Sequence, residues 1–428
     1  MTTIQQAPNG AVAPIVLEKT VVKSWKAPIA FGVVTVLSVI LFVLLARPGT
    51  SQFRLTQDRN LIQLPVIDVP TTATCVILTA LMAVITLLSV WMVRAGRKVP
   101  LWLVAVFGFL FLVAFLTWAG AGASIPVYGL LLGTVALSAP LIFGALGGVI
   151  SERSGVVNIA IEGQMLAGAF VSAMIASVTR SPYLGLIGAM VAGTLVSFVL
   201  AAFSIKYIVD QIIVGVVLNV LVTGLTNFLY STVMTANPEA LNSPPRFQRI
   251  NIPVLSEIPI IGPLLFQQTI IIYIMYIAVF AVWYGLFRTR WGLRVRAVGE
   301  HPQAADTVGI KVGVTRFWNV SLAGAVAGLG GAYFTLGSVG SFNKEMTAGA
   351  GFIALAAVIF GQWDPIKATL AALLFGFATN LQNVIGIIGS PVPSEFMLML
   401  PYVVTILAVA GLVGKSRAPA ADGKPYIK

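Results

Sequence analysis

Long apolar runs constrain this chain more than any other feature. Twelve stretches carry almost no charge: 27–46, 72–93, 101–119, 126–150, 156–178, 184–205, 211–234, 269–288, 317–338, 346–361, 368–388 and 396–414. A helix that crosses a bilayer needs about 20 mostly apolar residues. In lipid the backbone must satisfy its own N–H and C=O groups, so only helices and closed barrels span. These runs are continuous and lack the alternating segments of roughly ten residues that mark a membrane barrel. The expected fold is therefore all-α, a polytopic transmembrane helical bundle of about twelve crossings. The segment 346–361 is short enough to be a re-entrant piece instead.

Composition agrees, with 58% hydrophobic and 9% charged residues against about a quarter charged in soluble domains. Mean hydropathy is +0.96. A net charge of +12 raises the question of nucleic acid, but the basic residues are scattered over many short loops. Topology accounts for them better, because Lys and Arg accumulate on the cytoplasmic side. With the N-terminus inside, 19 of the 26 Lys and Arg fall in inside segments. Both termini are expected to be cytoplasmic. The first 26 residues read as a tail before a retained anchor, since the following apolar run exceeds a signal-peptide core.

Several chemistries are excluded. Cys75, alone of its kind, cannot form an internal disulfide or a cysteine zinc site. His301 is the only histidine. Gly414–Ser416 reads GKS, but the glycine that a phosphate-binding loop requires five positions earlier is Val409. No cofactor is expected on this chain, and ATP-driven work would fall to another subunit.

Polar groups inside the apolar runs mark candidate functional positions, because ionisable and amide side chains in a membrane are costly. One such stretch is SERSGVVNIAIEGQ, Ser151–Gln164, where two Glu, an Arg and an Asn fall within eleven positions. Glu152 and Arg153 fall at an interface beside a Ser154-Gly155 turn. A helix starting near Val156 would place Asn158 and Glu162 on one face. Asn158, Glu162 and Gln164 are thus candidates for a pathway or a gate. A structural network or hinge and direct substrate contact both remain open for them. Asn219 lies in a later apolar run, and Asn380, Gln382 and Asn383 lie in TNLQN. Such amides can bond a nucleobase or sugar, or join helices. The loop 289–316 holds a short helix after Pro302, with Ala304 and Ala305 inside it and Gly309 suited to ending it.

Three motifs carry a resemblance. ISERSGVVNIAIEGQMLAGAF (150–170), VGEHPQAADTVGI (298–310) and GAGFIALAAVIFGQWDP (349–365) followed by LLFGF (373–377) occur in that order. Together they resemble the ABC importer permeases of the branched-chain amino acid and simple-sugar type, particularly the nucleoside-uptake subgroup. In the second motif the usual Glu before the Ala pair is Gln303, and a later Leu-Pro is missing.

The resemblance covers about residues 120–414. It implies a permease domain at 120–414 with a family core of roughly ten helices; outside it, 1–26 reads as a tail, 27–119 as an N-terminal transmembrane extension with a first core helix, and 415–428 as a second tail. It implies a coupling loop, with Glu300, Gln303, Ala304, Ala305 and Gly309, that docks into an ATPase subunit. It also implies a second permease subunit, an extracytoplasmic substrate-binding lipoprotein, and residence in a prokaryotic cell membrane. Nucleosides are the expected substrate, with sugars or branched-chain amino acids next. A proton-coupled carrier using Glu162 is a rival mechanism, and an intramembrane enzyme fits least.

Overall fold

The computed structural model describes residues 24–57, 62–389, 396, 399 and 417–427. All but two residues of the apolar run 396–414, and residues 1–23 of the N-terminal tail, lie outside it. Among the described residues, ten helices are long and apolar enough to cross a membrane. The chain falls into two compact units.

The smaller unit contains three of these helices: α1 (Lys26–Ser38), which widens into a π-type turn to Leu44, α2 (Thr71–Arg94) and α3 (Leu101–Ala119). Its core is aromatic and aliphatic. Phe31 stacks on Phe107 with ring centroids 4.2 Å apart, among Met82, Ile85 and Leu103. Trp118 Nε1 donates to Leu45 O at 2.9 Å, and Ser51 Oγ donates to Thr117 O at 2.7 Å. These bonds satisfy backbone groups where helix ends leave them open.

The larger unit holds α4 (Val127–Arg153), α5 (Ile161–Thr179), α6 (Pro182–Ala201), α7 (Gln211–Leu229), the short α8 (Pro238–Leu241) and α9 (Ile261–Phe266), and α10 (Ile270–Arg288). After these come two non-spanning helices, α11 (Arg290–Glu300) and α12 (Pro302–Thr307). The unit continues with α13 (Val312–Ala332), α14 (Ala350–Phe360) and α15 (Pro365–Ile387). Strand content is minor: residues 52–54 pair in parallel with 124–126, and 249–251 pair antiparallel with 267–269.

Small residues set the packing. Ala189, Gly193 and Ser197 repeat every fourth residue on α6, and Gly324 and Gly328 do so on α13. A Cβ on Gly193 would collide with Gly324 O, and one on Gly328 with Ala189 O. The two backbones therefore touch, as small-residue membrane interfaces allow. Gly144 and Gly148 of α4 make a similar groove, where Cβ atoms would lie 2.8 Å from the side chains of Ala354 and Val358 of α14. Helix α13 is the most enclosed span, followed equally by α4 and α5, and the main apolar core draws on α4 and α13.

Two expectations change. The segment 346–361 contains a helix of only 11 residues, about 16 Å long and too short to cross a bilayer alone. The helix expected to start near Val156 begins instead at Ile161, and residues 156–160 are not helical. Asn158 and Glu162 therefore do not share a helical face.

Candidate functional site

Helix α14 is held at both ends by side chains from the SERSGVVNIAIEGQ stretch. At its N-terminus, Glu162 of α5 receives three hydrogen bonds. Thr347 Oγ1 donates to Glu162 Oε1 at 2.6 Å, Gly349 N to the same oxygen at 2.9 Å, and Gly351 N to Oε2 at 2.6 Å. The first N–H groups of a helix have no intrahelical acceptor, and a carboxylate there also faces the positive end of the helix dipole. Glycine is needed at 351 because a Cβ would collide with the Glu162 backbone. Glu345 (φ 54°), Ala348 (φ 45°) and Gly349 (φ 82°) lead into the helix in left-handed conformations, which are costly for side-chain-bearing residues.

At the other end, Arg153 Nε donates to Trp363 O at 2.9 Å and Nη2 to Gln362 O at 3.4 Å. Trp363 Nε1 donates to the buried Glu152 Oε2. Gln362 and Trp363 both have φ of 55°. Asp364 then caps α15, its Oδ1 accepting from Ile366 N and Lys367 N at 3.0 Å.

Between the two holding points the chain is unwound, and side chains take over the backbone pairing. Gln211 Oε1 accepts from Val157 N at 2.7 Å, and Ser151 Oγ donates to Val156 O at 2.7 Å. Asn219 Nδ2 donates to Ile159 O and its Oδ1 accepts from Gly163 N, both at 2.8 Å. Asn158 and Gln164 exchange two amide bonds at 3.1 Å, and Gln164 Nε2 also donates to Ser197 Oγ at 2.9 Å. Irregular backbone at membrane depth persists only where protein groups satisfy it. That requirement explains why this apolar region carries so many amides.

The remaining polar candidates separate. Asn380 of α15 donates to Leu130 O of α4 at 2.6 Å and to Gly129 O at 3.3 Å, so it joins two helices. Gln382 is half-buried and Asn383 exposed; neither belongs to the α14 clamp. In the 289–316 loop, Gln303, Ala304 and Gly309 are exposed on and beside α12, and Glu300 is exposed at the end of α11. Ala305 instead faces inward, buried with Val298 and Val312. Gly309 ends the helix at φ 85°. Thr347, Gly351, Trp363, Gln211 and Ser197 escaped the reading of the sequence. The signal for two of them was present in TAGAG, a glycine pair at the head of a short apolar run. Among the described residues, no group of three or more His, Cys, Asp or Glu could hold a metal.

The two ends of α14 thus unite two of the three motifs in one structural unit. The family model for the branched-chain amino acid transport system permease component matches residues 130–409. This chain belongs to that family. It is similar to the guanosine ABC transporter permease protein NupQ of Bacillus subtilis (strain 168), with 44% identity over 69% of this chain and 95% of that protein. It is 42% identical to the nucleoside ABC transporter permease protein NupC of Lactococcus lactis subsp. cremoris (strain MG1363), over 68% of this chain and 94% of that one. A putative glucose ABC transporter permease protein of Haloferax volcanii, TsgC13, is 36% identical over 59% of this chain and 77% of its own length. No solved structure matches.

Proposed function

We propose that this chain is the membrane-spanning permease subunit of an ABC importer for nucleosides in a prokaryotic cell membrane. The observation that carries this reading is the similarity to NupQ along nearly the whole of that protein. Ten long apolar helices supply the membrane domain. The run 396–414 is read as a further crossing, and α14 with the residues before it as a discontinuous one. Both termini then face the cytoplasm, with the Arg-rich α10–α13 connection.

In this reading α12 and its exposed neighbours Gln303, Ala304, Val308 and Gly309 dock into a separate ATPase subunit, which binds and hydrolyses ATP. This chain performs no catalysis and holds no nucleotide. A second permease completes the pathway, and an extracytoplasmic lipoprotein delivers substrate. Asn158, Glu162, Gln164 and Asn219 serve the gate through the fixed geometry of α14. Gln382 and Asn383 are the amides with exposure left over for the pathway. The test is uptake of labelled guanosine by cells with and without this chain, where loss of uptake on deletion is expected. The glucose-named relative favours a sugar as the second reading. Retained guanosine uptake with lost glucose uptake would select it.

A further inference from the structure

The described end of the chain, residues 417–427, lies against the core beside Gly299, Glu300 and Arg316. Ala421 N donates to Gly299 O at 2.9 Å, and Ala420 N donates to Glu300 Oε2 at 3.1 Å. Both partners belong to the last turn of α11, just before α12. Tyr426 packs on the small cluster of Val298, Ala305 and Val312 that fixes α12. A six-residue helix has little stability of its own, so this cluster largely sets where α12 sits.

From α13, the buried Arg316 reaches the same strip. Its Nη1 donates to Lys424 O at 2.9 Å and its Nη2 to Ala421 O at 3.5 Å. Gly423, at φ 72°, turns the strip over Val157, which a Cβ would meet at 3.4 Å. The strip therefore touches the α11–α12 loop, α13 and the unwound turn that leads to Glu162. Gly299 is central to this arrangement. It lies so close to the Arg153 carbonyl that a Cβ would collide with it. Arg153 in turn holds the C-terminal turn of α14.

We propose that the C-terminal strip is a strap that presses Gly299 onto Arg153 and so links movement of α12 to the α14 clamp. Arg316 and Gly423 are its positioning residues. The link to ATP use rests on the importer reading; the positioning of α12 does not.

Two measurements test it on the full-length chain, a truncation lacking 417–428, and Gly423→Pro. The last forbids the positive φ while leaving the bundle untouched. In the purified permease, hydrogen exchange across 297–310 is expected to quicken about tenfold in both variants, with α5 and α6 unchanged. Unaltered exchange at 297–310, or a general quickening throughout the chain, overturns the strap. In proteoliposomes holding the complete complex, both variants should keep ATP hydrolysis while labelled guanosine uptake falls about tenfold. A parallel fall of the two overturns the coupling role. If the unmodified complex shows no ATP-dependent uptake, the importer reading fails by itself, and the exchange result still decides the strap.

Discussion

Gly351 N lies 2.6 Å from the Oε2 of Glu162, across 189 residues of sequence. Both positions sit in the first turn of a helix, and the contact joins the start of α5 to the start of α14. Removing the carboxylate would strand three donors. Glu162→Ala is expected to lower stability by about 3 kcal/mol or more, since each buried unpaired group costs roughly 1–3 kcal/mol. Glu162→Gln, which keeps one acceptor oxygen, should cost less. Thermal unfolding of the parent and the two purified variants checks the order, and melting temperatures of both variants equal to the parent's would remove Glu162 as a structural anchor.

The opposite end of α14 gives a second expectation. Trp363→Phe keeps an aromatic ring but loses the N–H that reaches Glu152 and the second ring of the indole, while the backbone bonds from Arg153 remain. Its cost should be smaller than that of Arg153→Ala. If α14 moves as one rigid piece, Glu162→Gln and Trp363→Phe should be non-additive in uptake by at least about 0.5 kcal/mol. Strict additivity in a double-mutant cycle would mean that the two ends act separately.

Glycine substitutions separate contact from strain. Gly351→Ala drives a methyl into the Glu162 backbone and should abolish transport. Gly309→Ala meets nothing within 4 Å and bears only the strain of its positive φ, about 1 kcal/mol. It should leave expression and folding near normal. Expression, melting temperature and uptake of the two variants side by side provide the check. Ala305 belongs with the first group, because its methyl is buried. Bulky residues at Ala304 or Val308, which are exposed, would probe the docking role proposed for α12 with less damage.

How far the fold was legible in the sequence follows from the same residues. The spanning helices were readable because an apolar run of fixed length is a local property. The short α14 was flagged by length alone. The unwinding of 156–160 was hidden. Asn158 and Glu162, four residues apart, imitate one face of a helix. What opens that helix is Gln211, Ser197 and Asn219, which belong to other helices and bond its backbone and amides. The pairing of Arg153 with Trp363 was equally out of reach, being a contact across 210 positions. Local pattern marked these residues as unusual without telling what each would touch.

Acidity offers a further test. Burial, reinforced by the neighbouring Glu152 carboxylate, pushes the Asp422 carboxyl up to about 8, against the opposing pull of Arg316. Glu300 of α11 holds the adjacent Ala420. A free Asp titrates near 3.9, so the docked strip holds its proton more tightly than the undocked one. Docking is therefore strongest below about pH 4, weakens as pH rises toward about 8, and is constant above. Exchange of the 417–427 amides, corrected for intrinsic rate, should be faster at pH 8.5 than at pH 6.5. Asp422→Asn should flatten that difference; a variant as pH-sensitive as the parent would place the titration elsewhere.

Most membrane helices owe their length to the lipid around them, and they tilt or stretch when bilayer thickness changes. The 11 residues of α14 answer to a different ruler. Their span is set by the separation between one carboxylate and one guanidinium inside the protein. A thicker or thinner bilayer would tilt the outer helices and leave this internal rod at its length. Chimeras that exchange 150–164 between relatives without also exchanging 345–364 would change one end of the ruler and keep the other.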